Sequence, residues 1–178
     1  MFPSNSLAGL LLPLRHLFEW MDTLPASIAI RESLDLYSWL LVSHVVSMSA
    51  FAGLVLMMDL RLIGIGNMRT PFSQIHRTLF PWQMGMMMCS AATGLLLVFA
   101  EPLRFYGNFL FWIKVVLMAM ASLNAVAFHR GTYLAVEKWD VDPVLPFGAR
   151  LAGAVGLTLW VAVVVSGRLI AYNWFYMP

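Results

Sequence analysis

Three of the four histidines in this sequence lie inside or at the ends of apolar segments, where an imidazole is unusual. His44 lies about ten residues into such a segment, which is roughly 15 Å along an α-helix. A polar side chain at that depth in a membrane is costly and usually faces the protein interior for a functional reason. Neutral imidazole nitrogens commonly bind metals and haem iron. The sequence therefore predicts a ligand role for His44, with a hydrogen-bonded structural histidine as the alternative.

His76 begins one apolar segment and His129 ends the next. These two ends lie at similar depth if the two helices are antiparallel neighbours. Each histidine shares a helical face with small and polar residues. These are Gln83, Met87, Ser90 and Gly94 on the first segment, and Ala125, Ser122, Met118 and Lys114 on the second. Two facing imidazoles are what a six-coordinate haem requires, so we predict His76 and His129 as axial ligands. An ordinary pair of histidines at the membrane interface is the alternative.

Two cations also lie within apolar segments, Lys114 on the third and Arg168 on the fourth. We predict that they meet an anion or a carbonyl inside the protein, such as a haem propionate or a quinone. Long side chains that reach outward to the membrane interface are the simpler alternative. The nearby carboxylates of Glu32, Asp35 and Glu101 are further candidate partners. At the opposite end of the first segment, Asp59 and Arg61 are predicted to form an ion pair.

A cluster of sulfur-containing residues suggests copper, because soft sulfur ligands favour Cu(I). Its members are Met84, Met86, Met87, Met88 and Cys89. Consecutive positions on a helix point in different directions, and methionine is a common apolar filler. Packing is therefore favoured over a copper site. The single cysteine also excludes an internal disulfide, and the sequence contains no phosphate-binding loop and no zinc-binding His-Glu helix motif.

The composition indicates a membrane protein, since 61% of the 178 residues are hydrophobic and only 11% are charged. A soluble domain carries charge at roughly a quarter of its positions. A helix needs about 20 apolar residues to cross a bilayer. Four segments meet that length, approximately residues 36–58, 79–100, 109–128 and 151–172. The predicted fold class is an all-α integral membrane four-helix bundle, with short connections that make consecutive helices antiparallel neighbours.

A fifth apolar segment, residues 7–22, is too short and too interrupted to span and is predicted to lie in the membrane interface, anchored by Trp20. The chain is thus divided into an N-terminal interfacial region, residues 1–33, and the bundle, residues 34–178. We call the membrane side that carries both termini side A and the other side B. The loops of side A contain Arg15, Arg31 and Arg104, and those of side B contain Arg61, Arg69, Arg77, Arg130, Lys138 and Arg150. This asymmetry predicts that side B faces the cytoplasm and that both termini lie on the outer, periplasmic side of the membrane.

Several motifs resemble those of a family of small, uncharacterised four-span bacterial inner-membrane proteins. They are Ser43-His44-Val45, Asp59-Leu60-Arg61-Leu62-Ile63-Gly64, Thr93-Gly94-Leu95-Leu96-Leu97, Leu123-Asn124-Ala125 and Phe128-His129-Arg130. The likeness covers nearly the whole chain. More distantly, the layout is similar to cytochrome b561-like haem proteins and to membrane proteins of copper resistance. That similarity implies b-type haem held between helices by His44, His76 and His129. The fourth segment departs from the di-haem pattern because it lacks a histidine.

The resulting hypothesis is a membrane-embedded haem b electron-transfer protein, or the membrane subunit of an oxidoreductase complex, rather than a stand-alone enzyme. It would bind one haem b, and a second only if His16 or Met118 completes a site with His44. Its expected partners are the lipid bilayer, quinone, and a periplasmic redox protein or other subunits. The net charge of +2 gives no indication of nucleic acid. A small transporter or copper-handling protein without haem is the alternative.

Overall fold

The computed structural model describes residues 7–65, 70–140, 142 and 144–172, with side chains from Pro13 onward. Within these residues the chain is 88% helical and contains no strand, so the predicted all-α fold class is confirmed. Arg69, one of the cations used to predict orientation, lies outside the described residues, as do both chain ends.

Among the described residues, four helices are long and apolar enough to cross a membrane. They are α3 (Leu34–Ile63), α4 (Phe72–Ala100), α6 (Phe109–Arg130) and α7 (Phe147–Ile170). Shorter helices accompany them, namely α1 (Leu7–Asp22), α2 (Pro25–Glu32), α5 (Pro102–Tyr106) and a 3₁₀ segment (Thr132–Lys138). The chain is therefore a multi-pass membrane protein. The helix predicted at the N-terminus is present as α1.

At one or both ends, each spanning helix extends beyond the hydrocarbon-length segment predicted from hydropathy, because helix ends are fixed by backbone chemistry rather than by apolarity. The Ser33 side chain accepts a hydrogen bond from the Leu36 N–H (3.3 Å) and caps the start of α3. The same helix continues through Asp59 and Arg61 and ends at Gly64, whose φ of 97° suits glycine. Similarly, α4 begins directly after Pro71.

The spanning helices pack in the spatial order α4–α3–α7–α6. No Cα atom of α4 lies within 8 Å of a Cα atom of α6. The prediction that consecutive helices are packed neighbours is therefore wrong for this pair. Short elements close the gap between them at both ends, α5 on side A and the 3₁₀ segment on side B. Between these ends, the Cα atoms of α4 and α6 stay more than 8 Å apart.

The outward faces of the helices are apolar and suit contact with lipid. Leu95 and Trp39 are each 71% exposed, and Leu123 is 68% exposed. In water such large apolar side chains would be buried. In a bilayer they face a solvent as apolar as themselves. The buried residues instead include many small and polar side chains, which let helices approach closely.

Two glycines of α7 allow that helix to pack closely against α3. A Cβ atom on Gly153 would lie 2.7 Å from the Asp59 carbonyl oxygen, and one on Gly156 would lie 2.6 Å from Asp59 Oδ2. The first of these neighbours is backbone and cannot move aside. The close α3–α7 contact therefore requires glycine at position 153, as in other small-residue interfaces of membrane helices.

Replacement of Gly153 with valine is expected to destabilise the bundle by about 1–3 kcal/mol, the usual cost of overpacking a well-packed interface. Thermal unfolding of the detergent-solubilised protein measures the effect. Ala154→Val is the matched control, because Ala154 is exposed on the neighbouring position of the same helix. Equal melting temperatures for the two variants would contradict this view of the interface.

Asp59 and Arg61 do not form the predicted ion pair, and no such pair links them among the described residues. Residues two apart on a helix point in different directions. Asp59 is 8% exposed and packs against Gly156, and its Oδ2 has no hydrogen-bond partner. Arg61 is turned toward the following loop, where Nη2 donates to the Thr70 carbonyl (3.1 Å). The prediction failed because it treated sequence proximity as spatial proximity.

Side A is closed by α1, α2 and α5. Phe18 on α1 packs against the rings of Tyr106 and Trp112, at centroid distances of 5.3 and 6.4 Å. On α2, the fully buried Ser27 donates to the Phe99 carbonyl at the end of α4 (2.8 Å). These contacts fold the N-terminal helices back over the side A end of the bundle.

Side B is closed by the 3₁₀ segment and the loop that follows it. Trp139 is 6% exposed and packs in a cluster with Met58, Leu62, Phe72, Phe128, Leu145 and Ala149. Pro71 has no side chain that can cap α4, and Asp140 supplies the missing acceptor. Its Oδ1 accepts from the Ser73 N–H (2.9 Å) and its Oδ2 from the Ser73 hydroxyl. The loop therefore fixes the end of α4 that carries His76.

Candidate functional site

His76 and His129 meet across the gap between α4 and α6, with their Nε2 atoms 3.0 Å apart. His76 is 8% exposed. The ring centroids are 5.2 Å apart and the ring planes differ by 55°. Because the two backbones are well separated, the two side chains themselves bridge the helices at side B. The structure thus brings together the two histidines that the sequence predicted to face each other.

The hydrogen bonds around the pair fix the proton positions if both rings are neutral. The Ala125 carbonyl can only accept, so it receives the Nδ1–H of His129 (2.8 Å). Nε2 of His129 then carries a lone pair and accepts the Nε2–H of His76. Nδ1 of His76 in turn accepts from the Tyr133 hydroxyl (3.1 Å). The result is a directed chain of hydrogen bonds that starts at Tyr133 and ends on the backbone of α6.

Aromatic rings surround the histidine pair. Phe80 stacks on His76 with a centroid distance of 5.0 Å and an angle of 25°. Phe72 and Tyr133 lie on its other sides, at 6.0 and 4.6 Å. An open cavity of about 620 Å³ adjoins His76, and its lining also includes Ser73, Gln74, Arg77, Phe80, Tyr133 and Asp140. This lining carries several polar and charged side chains, and it does not include His129.

His76 and His129 are chemically suited to hold a haem iron from opposite sides, because each presents a ring nitrogen to the other. The hydrogen bond from His129 Nδ1–H to the Ala125 carbonyl is of the kind that orients a metal-binding imidazole. To hold the iron, both rings would offer their Nε2 lone pairs, so the hydrogen bond between the two rings would be given up. His76 would also move its proton to Nδ1 and donate to Tyr133. A tyrosine hydroxyl can accept as well as donate, so Tyr133 suits either tautomer.

His44 lies on a different part of the bundle. Its Nδ1 is 3.0 Å from the Ser90 carbonyl and 3.2 Å from the Thr93 hydroxyl, both on α4. Gly94 lies directly against the ring, since a Cβ there would be 2.9 Å from His44 Cε1. Nδ1 therefore makes the structural hydrogen bonds that were the alternative to a ligand role for His44. The other nitrogen, Nε2, makes no hydrogen bond to a side chain or backbone of the described residues.

Lys114 extends from α6 into the bundle, where Nζ is 3.6 Å from the Met48 sulfur on α3. A Cβ on Gly167 of α7 would lie 3.2 Å from the same Nζ. Arg168 is exposed instead, with its guanidinium 5.3 Å from the centre of the Tyr172 ring. The two cations therefore do not share a site.

Lys114 and His44 also lie far from the side B pair. Lys114 precedes His129 by 15 positions on α6, and Ser90, which contacts His44, follows His76 by 14 positions on α4. At 1.5 Å per residue both separations are about 21–22 Å. The candidate residues therefore form two groups, His76 with His129 toward side B and His44 with Lys114 toward side A.

The remaining candidates lie outside both groups. The His16 side chain is 78% exposed and its Nδ1 is 3.4 Å from Glu19. In the sulfur cluster, Met88 is 65% exposed, Met87 is 37% exposed and Cys89 is also exposed. These side chains lie on the outside of α4.

Tyr133 belongs to the site but was not singled out from the sequence. Its position four residues after His129 is one helical turn away, which could have suggested proximity. A tyrosine at the end of a spanning helix is ordinarily interpreted as a membrane-interface residue. Its contact with His76 depends on the turn from α6 into the 3₁₀ segment, which sequence periodicity does not specify.

Comparison with known proteins gives a family but no activity. A family model described as "Family of unknown function (DUF6644)" matches residues 17–173. No curated protein matches, and no solved structure matches. Within the described ranges, no three histidine, cysteine, aspartate or glutamate side chains cluster closely enough to hold a metal ion. A structural zinc site uses four protein ligands and a catalytic one three, whereas haem iron needs at most two axial ligands.

Proposed function

The chain belongs to the DUF6644 family, whose function is unknown, and from its own residues we propose that it is a haem b electron-transfer protein of the membrane, acting alone or as a subunit of an oxidoreductase complex. The observation that carries the proposal is the convergence of His76 and His129, from two helices, with Nε2 facing Nε2 at 3.0 Å. His76 and His129 would hold the iron from opposite sides. One haem per chain is proposed, because His16 is exposed and no histidine faces His44.

The surroundings of the pair also support this role. When bound, the haem would supply a one-electron redox centre, whose potential depends on its axial ligands and their hydrogen bonds. The Ala125 carbonyl orients the His129 ring, and Tyr133 and Phe80 contact the His76 ring. The apolar cluster beneath them, with Phe72 fully buried, packs against the His76 ring and supports its position.

We further propose a bacterial inner-membrane location with side B in the cytoplasm. The described side B cations Arg77, Arg130 and Arg150 lie at the side B ends of their helices, consistent with positive loops inside. The haem would then lie toward the cytoplasm. Partners would be quinone and a periplasmic redox protein or further subunits of a complex.

The direct test is the haem content of protein purified in detergent from haem-replete cells. We expect one b-type haem per chain, with reduced bands that appear on adding dithionite. A visible spectrum without haem bands would contradict the proposal. It would leave a small transporter or a copper-handling protein as the alternative, which metal analysis of the same sample addresses.

A further inference from the structure

The interior of the bundle holds a second polar group, which we call the side A cluster, formed by His44, Met48 and Lys114 with Gly94 and Gly167. We propose that the side A cluster binds the ring of a lipid-soluble quinone. This assignment gives the proposed function a quinone-binding site, and any electron transfer to or from that quinone rests on the proposed function. The binding itself depends only on the side A cluster.

Lys114 supplies the first argument, because its ammonium group lacks a suitable acceptor. Its recorded hydrogen bond goes to the Met48 thioether at 3.6 Å, and sulfur is a weak acceptor. No carboxylate of a described residue forms an ion pair with it. Lysines within membrane helices normally pair with an acidic group or a carbonyl. An oxygen atom of a bound ligand would supply the acceptor that Lys114 lacks.

Of the three acidic residues predicted near Lys114, Glu32, Asp35 and Glu101, none forms an ion pair with it, and Glu101 is engaged elsewhere. Glu101 Oε2 accepts from the Tyr37 hydroxyl (2.8 Å) and from Arg104 Nη1 (2.5 Å). These contacts hold the carboxylate at the side A end, between α3, α4 and α5. Lys114 is therefore left to interact with a group that is not part of the described chain.

His44 supplies the second argument. Its Nδ1 must donate its proton to the Ser90 carbonyl, so Nε2 of the neutral ring is an acceptor. His44 and Met48 are four residues apart and lie on one face of α3. Since Lys114 contacts Met48, the donor on α6 and the acceptor on α3 belong to the same cluster.

The reduced, hydroquinone form matches both groups, because one hydroxyl oxygen accepts from Lys114 and the other hydroxyl donates to His44 Nε2. The oxidised form keeps the contact with Lys114 through a carbonyl oxygen. A halide would satisfy Lys114 alone. The site lies within the apolar part of the bundle, and no backbone contact closes the side between α4 and α6. A ligand that arrives through lipid suits this position better than one that arrives from water.

Two glycines make room for the polar side chains of the side A cluster. A Cβ on Gly94 would lie 2.9 Å from His44 Cε1, and one on Gly167 would lie 3.2 Å from Lys114 Nζ. The absence of these side chains lets both polar groups project into the bundle. The site is about 21 Å from the histidine pair along α4, which places the two sites in different halves of the membrane.

The test is equilibrium binding of radiolabelled decylubiquinone to the protein in lipid nanodiscs, with empty nanodiscs as the measure of simple partition. We expect saturable binding with one site per chain. Lys114→Met should weaken it about tenfold or more, as expected for loss of a hydrogen bond from a charged group. Arg150→Met, which removes an exposed cation at side B, should leave binding unchanged.

Two results would overturn the assignment: wild-type protein that binds no more quinone than empty nanodiscs, or Lys114→Met protein that binds like the wild type. Displacement by laurate as effective as displacement by unlabelled quinone would also overturn it, in favour of a carboxylate site. Haem content is measured on every sample. Saturable binding without haem would refute the proposed function alone, and haem without binding would refute the quinone site alone.

Discussion

Protein in which His129 is replaced by alanine is expected to be purified with little or no haem. The substitution removes one of the two Nε2 atoms that face each other at 3.0 Å, and with it the bond to the Ala125 carbonyl that orients the ring. Removing a residue that only hydrogen-bonds to a metal ligand already lowers metal affinity by roughly 10–100-fold. Removing the ligand itself should therefore lower haem affinity by more than this. Haem per chain, measured from the reduced spectrum, reports the effect.

His16→Ala is the matched control, because the His16 side chain is 78% exposed and pairs with Glu19 on α1. It should retain the haem of the wild type. His76→Ala should behave like His129→Ala, since both rings are needed for a six-coordinate site. Normal haem content in His129→Ala together with loss in His16→Ala would contradict the assignment of the axial pair.

The second large effect is expected from Phe72→Ala, which should destabilise the protein by about 3–5 kcal/mol. Phe72 is fully buried and packs against the rings of Phe128, Tyr133 and Trp139 at 5.8–6.2 Å. Its removal leaves a cavity under the histidine pair that the surrounding rings cannot fill. For a chain of this size the melting temperature should fall on the order of 10 °C.

Phe147→Ala is the control for this substitution, because Phe147 is 78% exposed at the start of α7. It should lower the melting temperature by no more than a degree or two, in keeping with the small effects of exposed positions. Thermal unfolding of the two variants in the same detergent provides the comparison. A Phe72→Ala protein as stable as Phe147→Ala would show that the side B cluster is not the core of this end of the bundle.

The number and approximate position of the spanning helices could be predicted from the sequence, because the length of an apolar segment is a direct physical requirement of the bilayer. The ends of the helices were harder to predict. Gly64 and Ser33 fix the ends of α3 through backbone conformation and capping, and neither effect changes hydropathy. The two short helices α2 and α5 and the 3₁₀ segment were missed for the same reason, since their residues are neither apolar enough nor periodic enough to stand out.

The meeting of His76 with His129 could also be predicted, although the reasoning behind it was partly wrong. The sequence argument assumed that α4 and α6 pack side by side, whereas their backbones are separated and the side chains bridge the gap. The helix order could not be predicted, because it depends on which small residues fit together. Gly153 against the Asp59 carbonyl is one such contact, and nothing local in the sequence pairs those two positions.

The separation of Lys114 from Arg168 illustrates a second limit. Both cations lie in apolar segments, so hydropathy treats them alike. The structure turns Lys114 toward Met48 in the interior and Arg168 toward Tyr172 on the outside. Which face of a helix is internal depends on its neighbours, and the weak amphipathicity of a spanning helix leaves that face largely unspecified.

The most direct test of the central claim is low-temperature electron paramagnetic resonance of the oxidised, purified protein. An iron held by His76 and His129 should give one low-spin ferric signal of the bis-imidazole type. In His76→Ala and His129→Ala, any iron that remains bound should be high-spin. A wild-type sample with no ferric haem signal, or a low-spin signal that persists unchanged in both variants, would contradict the account.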